Sequence, residues 1–405
     1  MNTSRPLGNP LSNRTLYARL FAGSLGLVSL LSLAFAPLTL RAQEPKPHPA
    51  IKSSGFIYET APFPSCHAST IEDTPSGIVA AWFGGTHEKH PDVGIWVSSL
   101  KDGKWTEPIE AANGKGAGPN GTQLPTWNPV LFQPKKNRDG KPAPLVLLYK
   151  LGPTPETWWG METLSYDGGK TWTKPVALPE GILGPIKNKL IELENGDWLC
   201  PSSTETEEEP SKWQVHFERR SHADNSWSKT PSLNDGIEIQ AIQPTLLKIA
   251  PASPSNAASP SNAASPSNAA SPSNAGKWKA IGRSRQNKIF ETTSDDDGAT
   301  WKPLSLGTLP NNNSGLDALT LQDRRHLVVY NHIGGTPGQW GGKRTPLNVA
   351  LSVDSVSWTP SVVLEDTPGE FSYPAVIQSS DGLIHITYTW NRKKIKHVVL
   401  DPTKL

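Results

Sequence analysis

Ser165-Tyr166-Asp167-Gly168-Gly169-Lys170-Thr171-Trp172 and Ser294-Asp295-Asp296-Asp297-Gly298-Ala299-Thr300-Trp301 share the frame S-x-D-x-G-x-T-W, and looser versions end at Trp105, Trp227 and Trp358. The frame reads as a hairpin turn. Asp and Ser accept from local backbone donors, Gly takes a positive φ, and the Trp packs beneath as a plug. Between these turns a second unit recurs: a short apolar strand, a polar turn, and another apolar strand. Its six copies run Cys66 to Phe83, Trp127 to Tyr149, Ile186 to Cys200, Ile242 to Ile281, Leu316 to Tyr330 and Tyr373 to Tyr388. They recur about every 55–60 residues once an insertion in the fourth copy is removed, longer than the ~40–50 of common propeller repeats, so long loops on one face are expected. Six four-stranded repeats closed into a ring leave no long exposed edge. The expected fold is all-β, a six-bladed β-propeller.

The wider chain agrees. Among 405 residues, 39 Pro, 34 Gly and 15 Trp against 2 Met favour turns and strands over helical bundles. A net charge of +2 supplies no basic field for nucleic acid. Two cysteines, Cys66 and Cys200, make no disulfide framework or zinc spacing, and they read as separate buried thiols rather than a pair. No Gly-rich phosphate loop opens a helix, so no nucleotide, flavin or haem cofactor is expected, and no metal. Residues 1–42 hold Arg5, Arg14 and Arg19, an apolar run from Leu20 to Ala36, and Leu40-Arg41-Ala42 before Gln43. This is the pattern of a cleaved signal peptide, predicting a secreted or periplasmic protein without stable membrane insertion. Residues 43–52 read as a flexible lead-in and 53–405 as the propeller. The insertion at about 252–276 consists of tandem hexapeptides, Ser-Pro-Ser-Asn-Ala-Ala with the last copy ending in Gly276, too polar and small to repay ordering.

In a propeller the innermost strands start near one axis, so the residues opening each copy converge on a pocket. Here they are polar: Cys66-His67, Trp127-Asn128, Lys187-Asn188-Lys189, Ile242-Gln243, Asn313-Ser314 before Leu316-Asp317, and Ser372-Tyr373, with Arg283, Arg285 and Arg344 nearby. This set suits a carboxylate-bearing, hydroxyl-rich ligand; mutual satisfaction with channel water is the structural alternative.

At this point the chain resembles the sialidase superfamily, specifically bacterial neuraminidase-repeat proteins, from about Phe56 to Val399. The Trp turns are that family's Asp-boxes. The resemblance implies an arginine triad for a sialic-acid carboxylate, an Asp acid/base and a Tyr nucleophile activated by Glu. Tyr373 matches the nucleophile, since its strand reaches the Asp381-Gly382 turn at the family's distance. Arg283 in Gly-Arg-Ser matches the second triad arginine and Arg344 in Arg-Thr-Pro the third. Asp92 in His-Pro-Asp-Val-Gly matches the acid/base. Two positions depart: His67 stands where the first arginine belongs, and Gln243 where the activating Glu belongs.

Those departures have a physical consequence. A phenol with pKa near 10 is a poor nucleophile unless a base takes its proton, and an amide cannot. A histidine titrating near neutrality could serve instead. The sequence therefore predicts a carbohydrate-active enzyme on terminal acidic or deoxy-sugar glycans, with catalytic Tyr373, His67, Asp92 and Gln243 and substrate-binding Arg283, Arg285, Arg344, Asn128, Lys189 and Asn313. Elimination at a uronate, as in propeller enzymes that cleave rhamnosyl-glucuronate glycans, and a silent glycan-binding propeller are the alternatives. A glycan is the expected partner, and the chain is expected to be a monomer. Around Asp92, the group His87, Glu88 and His90 reads as a solvated loop, with a Glu88–Asp92 carboxylate pair for inverting hydrolysis or a His87 and His90 metal site as the alternatives, and the charge run Glu205 to Glu209 after a strand reads as a solvated face. Of Trp158 and Trp159, adjacent in a strand, one at most faces ligand. Arg392 ends the last hairpin, at the pocket rim or exposed.

Overall fold

The computed structural model describes residues 48–135, 142–249, 276–336 and 341–405. The expected signal peptide, the lead-in up to residue 47 and nearly all of the hexapeptide insertion lie outside the described residues. The rest is built from six antiparallel sheets, one per predicted copy. Each inner strand comes from the first half of a copy: Ser65–Thr74, Thr126–Phe132, Ile191–Glu192, Ala241–Ile249, Asp317–Thr320 and Phe371–Gln378, numbered here as blades 1 to 6. The strand after each is the second half of the copy, and two further strands complete the blade, or three in blade 1.

The ring closes with the N-terminal strand. Ile51–Phe56 pairs antiparallel with Lys394–Leu400 and becomes the outer strand of blade 6. The strand thus begins at Ile51, so Ile51 and Lys52 belong to the propeller rather than to the lead-in. Pairing this strand with the last blade consumes an edge that would otherwise be open. The strands read as continuous apolar runs, such as Leu145–Leu151, because both sheet faces pack on neighbouring blades.

The Trp turns behave as their chemistry predicts. Asp167 accepts from the Lys170 and Thr171 amides and from the Thr171 hydroxyl, while Ser165 Oγ donates to it at 2.8 Å. Asp296 repeats this arrangement with Ser294 and Thr300. The turn then docks on the preceding blade: Trp301 stacks on Phe217 with centroids 3.8 Å apart. Gly298, at φ +78°, has no room for a Cβ, which would lie 2.6 Å from Leu199 Cδ2. Cys66 and Cys200 are both free and buried, as separate thiols.

Candidate active site

In four blades the inner strand carries a β-bulge at the same place. The ladder register shifts between His67 and Thr70, Trp127 and Val130, Ile242 and Thr245, and Ser372 and Ala375. Each bulge holds a non-glycine residue at positive φ: Ala68 at 56°, Asn128 at 37°, Gln243 at 58° and Tyr373 at 51°. Such a conformation costs energy in a residue with a Cβ and persists only where the surroundings enforce it. A bulge re-aims one side chain out of the ladder. After Asn128, Gln243 and Tyr373 comes a proline, which has no N–H to leave unpaired. The bulges bring distant residues together, so that Gln243 Nε2 donates to Tyr373 Oη at 3.3 Å.

Arg283, on the second strand of blade 4 (Lys277–Ser284), organises this contact. One terminal nitrogen donates to Tyr373 Oη at 2.7 Å and to Gln243 Oε1 at 3.3 Å. Its Nε and other terminal nitrogen both donate to Asn313 Oδ1, at 3.1 and 3.0 Å. The guanidinium lies 4.9 Å from the Trp213 ring centroid. Arg344 sits 5.7 Å from the centroid of the Tyr373 ring and donates to Glu370 Oε1 at 3.0 Å. A third guanidinium arrives from blade 6: Arg392 Nε donates to the same Glu370 oxygen at 2.6 Å, and its other end reaches Glu88 at 2.6 Å. Arg344 and Arg392 thus share the Glu370 carboxylate, and Arg392 pairs with Glu88 as well.

His67 packs on Tyr373 with ring centroids 4.1 Å apart, and its Nδ1 pairs with Thr389 Oγ1 at 3.0 Å. Here the expectation needs correction. His67 does not titrate near neutrality: burial first, then the charges of Arg392, Arg344, Lys187 and Arg283, hold its pKa well below the usual histidine range. It is neutral in the site.

The remaining candidates divide. Asn128 occupies the equivalent bulge of blade 2, and Asn313 fixes Arg283. Arg285 lies beside that group: its guanidinium is 4.0 Å from the Trp213 ring centroid and donates to Gln240 Oε1 at 2.8 Å. Lys189 is a strut, with Nζ donating to both Asp317 oxygens at 2.9 Å and to Ala318 O at 2.8 Å, so its three donors are used within the protein. Asp92 accepts from the Thr86 amide and hydroxyl, at 2.9 and 2.6 Å, and pairs with His90 at 2.7 Å. Slight burial pushes its pKa up, but the Thr86 and His90 bonds outweigh this and hold it below the ordinary value. Asp92 is ionised at neutral pH.

The loop carrying Asp92 is tied to the cluster by Glu88 and Arg392, so Glu88 is an ion-pair partner of the site rather than part of a solvated loop. The run at Glu205 also needs correction. Glu205 ends the strand Trp198–Glu205, half-buried, and burial raises its pKa against the opposing charge of Arg283; only Glu207 to Glu209 are exposed. Trp158 packs edge-on to Trp127 at 5.7 Å, and Trp159 packs on the blade 1–2 core. Glu370, Trp213 and Glu205 were missed because nothing in their local pattern distinguishes them. A positive φ at Asn391 and Arg392 turns Arg392 inward, and only an Asn-Arg pair at a hairpin end hints at that.

A cavity of about 630 Å³ opens at the other end of the strands, among Thr74, Ser165, Trp198 and Arg220. Its guanidinium is already paired with Glu162 at 2.8 Å. The bulges, the strained residues and the convergent cations all lie at the His67–Tyr373 end, which is therefore the candidate site.

A family model described as a BNR repeat-like domain matches residues 76–386. The chain belongs to this BNR repeat-like family. No curated protein sequence matches it. Among solved structures, this BNR repeat-like chain is similar to a protein of unknown function from Dyadobacter fermentans, at 16% identity and a TM-score of 0.62, covering 87% of this chain and 99% of that one. It is similar to the NanB sialidase of Streptococcus pneumoniae, at 13% identity and TM-score 0.59, over 89% and 71% of the two chains. It is also similar to the intramolecular trans-sialidase of Ruminococcus gnavus, at 12% identity and TM-score 0.61, over 88% and 99%. At these identities the likeness establishes a sialidase-type propeller for the BNR repeat-like chain, and its chemistry has to be argued from its own residues.

Proposed function

We propose that this protein is an exported carbohydrate-active enzyme that breaks a glycosidic bond at a terminal, carboxylate-bearing sugar. The observation that carries this reading is the convergence of Arg283, Arg344 and Arg392 on the contact between Tyr373 and His67. Guanidinium groups match carboxylates in fork geometry, and a buried cluster of them attracts an anion. Export rests on the signal-peptide pattern of residues 1–42.

The same geometry argues about mechanism. Arg283 and Gln243 both donate to Tyr373 Oη, so neither can take its proton, and the carboxylate-activated tyrosine nucleophile lacks its base. His67, held neutral, keeps one ring nitrogen unprotonated and able to accept a proton. A substrate carboxylate docked among the arginines offsets the positive field at His67 and strengthens it as a base at the moment it is needed. His67 and Tyr373 then form the proton-transfer pair, and the arginines hold the carboxylate.

The state of Asp92 favours a second reading of the bond-breaking step. Hydrolysis calls for a protonated acid at the leaving oxygen, and Asp92 is ionised. In elimination, His67 takes the proton next to a uronate carboxylate, a carbon–carbon double bond forms, the carbon–oxygen bond breaks, and Tyr373 gives its proton to the leaving oxygen. The test is incubation with sialosides, rhamnosyl-glucuronate glycans and uronate oligosaccharides, reading free sugar by mass and unsaturated uronate by absorbance. Saturated sugar supports hydrolysis, and unsaturated product supports elimination. Saturable binding with no product from any substrate would replace the enzyme by a glycan-binding propeller.

A further inference from the structure

Under Tyr373, on the axis, sits a pair that the reaction scheme does not use. Lys187 is 4% exposed and Asn188 2% exposed, both just before the inner strand of blade 3. Lys187 Nζ donates to Pro374 O, to Leu316 O at 3.2 Å and to Asn188 Oδ1 at 2.8 Å, and it lies 5.7 Å from the Tyr373 ring centroid. Asn188 Nδ2 donates to Gln243 O at 3.1 Å and Pro244 O at 3.0 Å. Two adjacent side chains of blade 3 therefore hold four carbonyls belonging to blades 4, 5 and 6.

These carbonyls belong to the segments that shape the site. Gln243 O and Pro244 O flank the bulge of blade 4, Pro374 O follows Tyr373 in the bulge of blade 6, and Leu316 O adjoins Gly315. A Cβ on Gly315 would lie 3.2 Å from Gln243 Oε1 and 3.3 Å from the Tyr373 ring, so the blade 5 backbone beside Leu316 packs directly against both side chains. A left-handed Gln or Tyr persists only if surrounding bonds over-determine it.

We propose that Lys187 and Asn188 are positioning residues that hold Gln243 and Tyr373 in their bulged conformations, and that protonated Lys187 is required for that hold. This rests on reading the Tyr373–His67 cluster as the site. The titratable and charged groups facing Lys187 are Lys189 on its own segment, Arg283 of blade 4, Asp317 of blade 5, Tyr373 of blade 6 and the neutral His67 of blade 1. Burial first, then the repulsion of Lys189 and Arg283 against the attraction of Asp317, lowers the Lys187 pKa to about 7. An ammonium donates three hydrogen bonds and a neutral amine two, so one of the three bonds is lost as pH rises through neutrality. His67 stays neutral over this range.

Two measurements test this. Calorimetric binding of glucuronate from pH 5 to 9 is expected to weaken about tenfold through neutrality in the unmodified protein, the size of one lost hydrogen bond to a charged group. Lys187→Met is expected to bind weakly at every pH without that inflection; an inflection retained in this variant overturns the proposal. Hydrogen exchange on the unmodified protein needs neither variant nor ligand. After correction for intrinsic rates, residues 241–246 and 371–376 are expected to lose protection between pH 6 and 8.5 relative to 326–331, and equal behaviour of the three segments overturns the proposal. If glucuronate binds at no pH, the functional reading falls, and exchange still decides the role of Lys187.

Discussion

Glu370→Gln offers the sharpest test of how the cation cluster is held. Glu370 Oε1 accepts from Arg344 at 3.0 Å, from Arg392 at 2.6 Å and from Ser372 at 3.2 Å. Breaking a buried ion pair costs about 3–5 kcal/mol, whereas an exposed pair contributes about 0–1 kcal/mol. The Glu370 side chain is 33% exposed, against 16% and 28% for its arginines, which places the loss between these limits, at about 2–3 kcal/mol. Unfolding entropy of about 2.1 cal/mol/K per residue, over a propeller of roughly 350 residues, converts this into a fall in Tm of about 3–4 °C. Anion binding should move the other way. Arg392 keeps Glu88, and the Arg344 carbonyl still accepts from the Phe371 amide, so orientation survives while a competing negative charge is removed. At an effective dielectric of about 20, one charge about 6 Å away amounts to more than 2 kcal/mol before screening, so glucuronate affinity should rise about tenfold or more. Scanning calorimetry with and without glucuronate reads both effects. An unchanged Tm together with unchanged affinity would show that Glu370 neither holds nor masks the arginines.

Other outcomes follow from the same geometry. Gln243→Glu gives Tyr373 the base it lacks, so release of a terminal acidic sugar should rise at least about tenfold; an unchanged rate would mean that Tyr373 is not limited by proton removal. His67→Ala should lower turnover about a hundredfold or more while circular dichroism stays unchanged, and full activity would remove His67 from the mechanism. Acid stability should depend on the buried pair His385 and His397, whose rings hydrogen-bond at 3.0 Å beside Trp105. Burial lowers both pKa values, that of His397 to about 3 with help from His385, so the native state binds fewer protons than the unfolded chain. Stability is then fully present above the unfolded value near 6.5 and falls as pH drops towards 3, by about 1.4 kcal/mol per unit for His397, with His385 adding to the fall in the same direction. Urea titrations of His397→Gln should show a shallower decline over that window, and an identical decline would place the acid sensitivity elsewhere.

The fold was legible in the sequence because its determinants are local. An S-x-D-x-G-x-T-W turn closes its own hydrogen bonds within eight residues, and an apolar run bounded by turn residues is a strand wherever it lies, so six copies could be counted and their ring closure inferred. The pairing of Ile51 with Leu400 of the last blade was not visible, since a strand partner so far along the chain leaves no local mark. Among site residues, Tyr373, Gln243, Arg283 and Arg344 were legible because each opens or follows a strand near the axis. What they do was decided by tertiary structure. His67 is ordinary in sequence, and only burial among three arginines and a lysine makes it neutral. Lys189 has the sequence setting of a substrate ligand, whereas the fold puts Asp317 beside it and uses its donors there. Arg392, Glu370 and Lys187 acquire their roles from neighbours on other blades. Hydrogen-bonding type and strand period belong to the residue and its near neighbours, whereas charge state and the availability of a donor depend on everything within several ångströms, and in a closed ring most of that comes from distant parts of the chain.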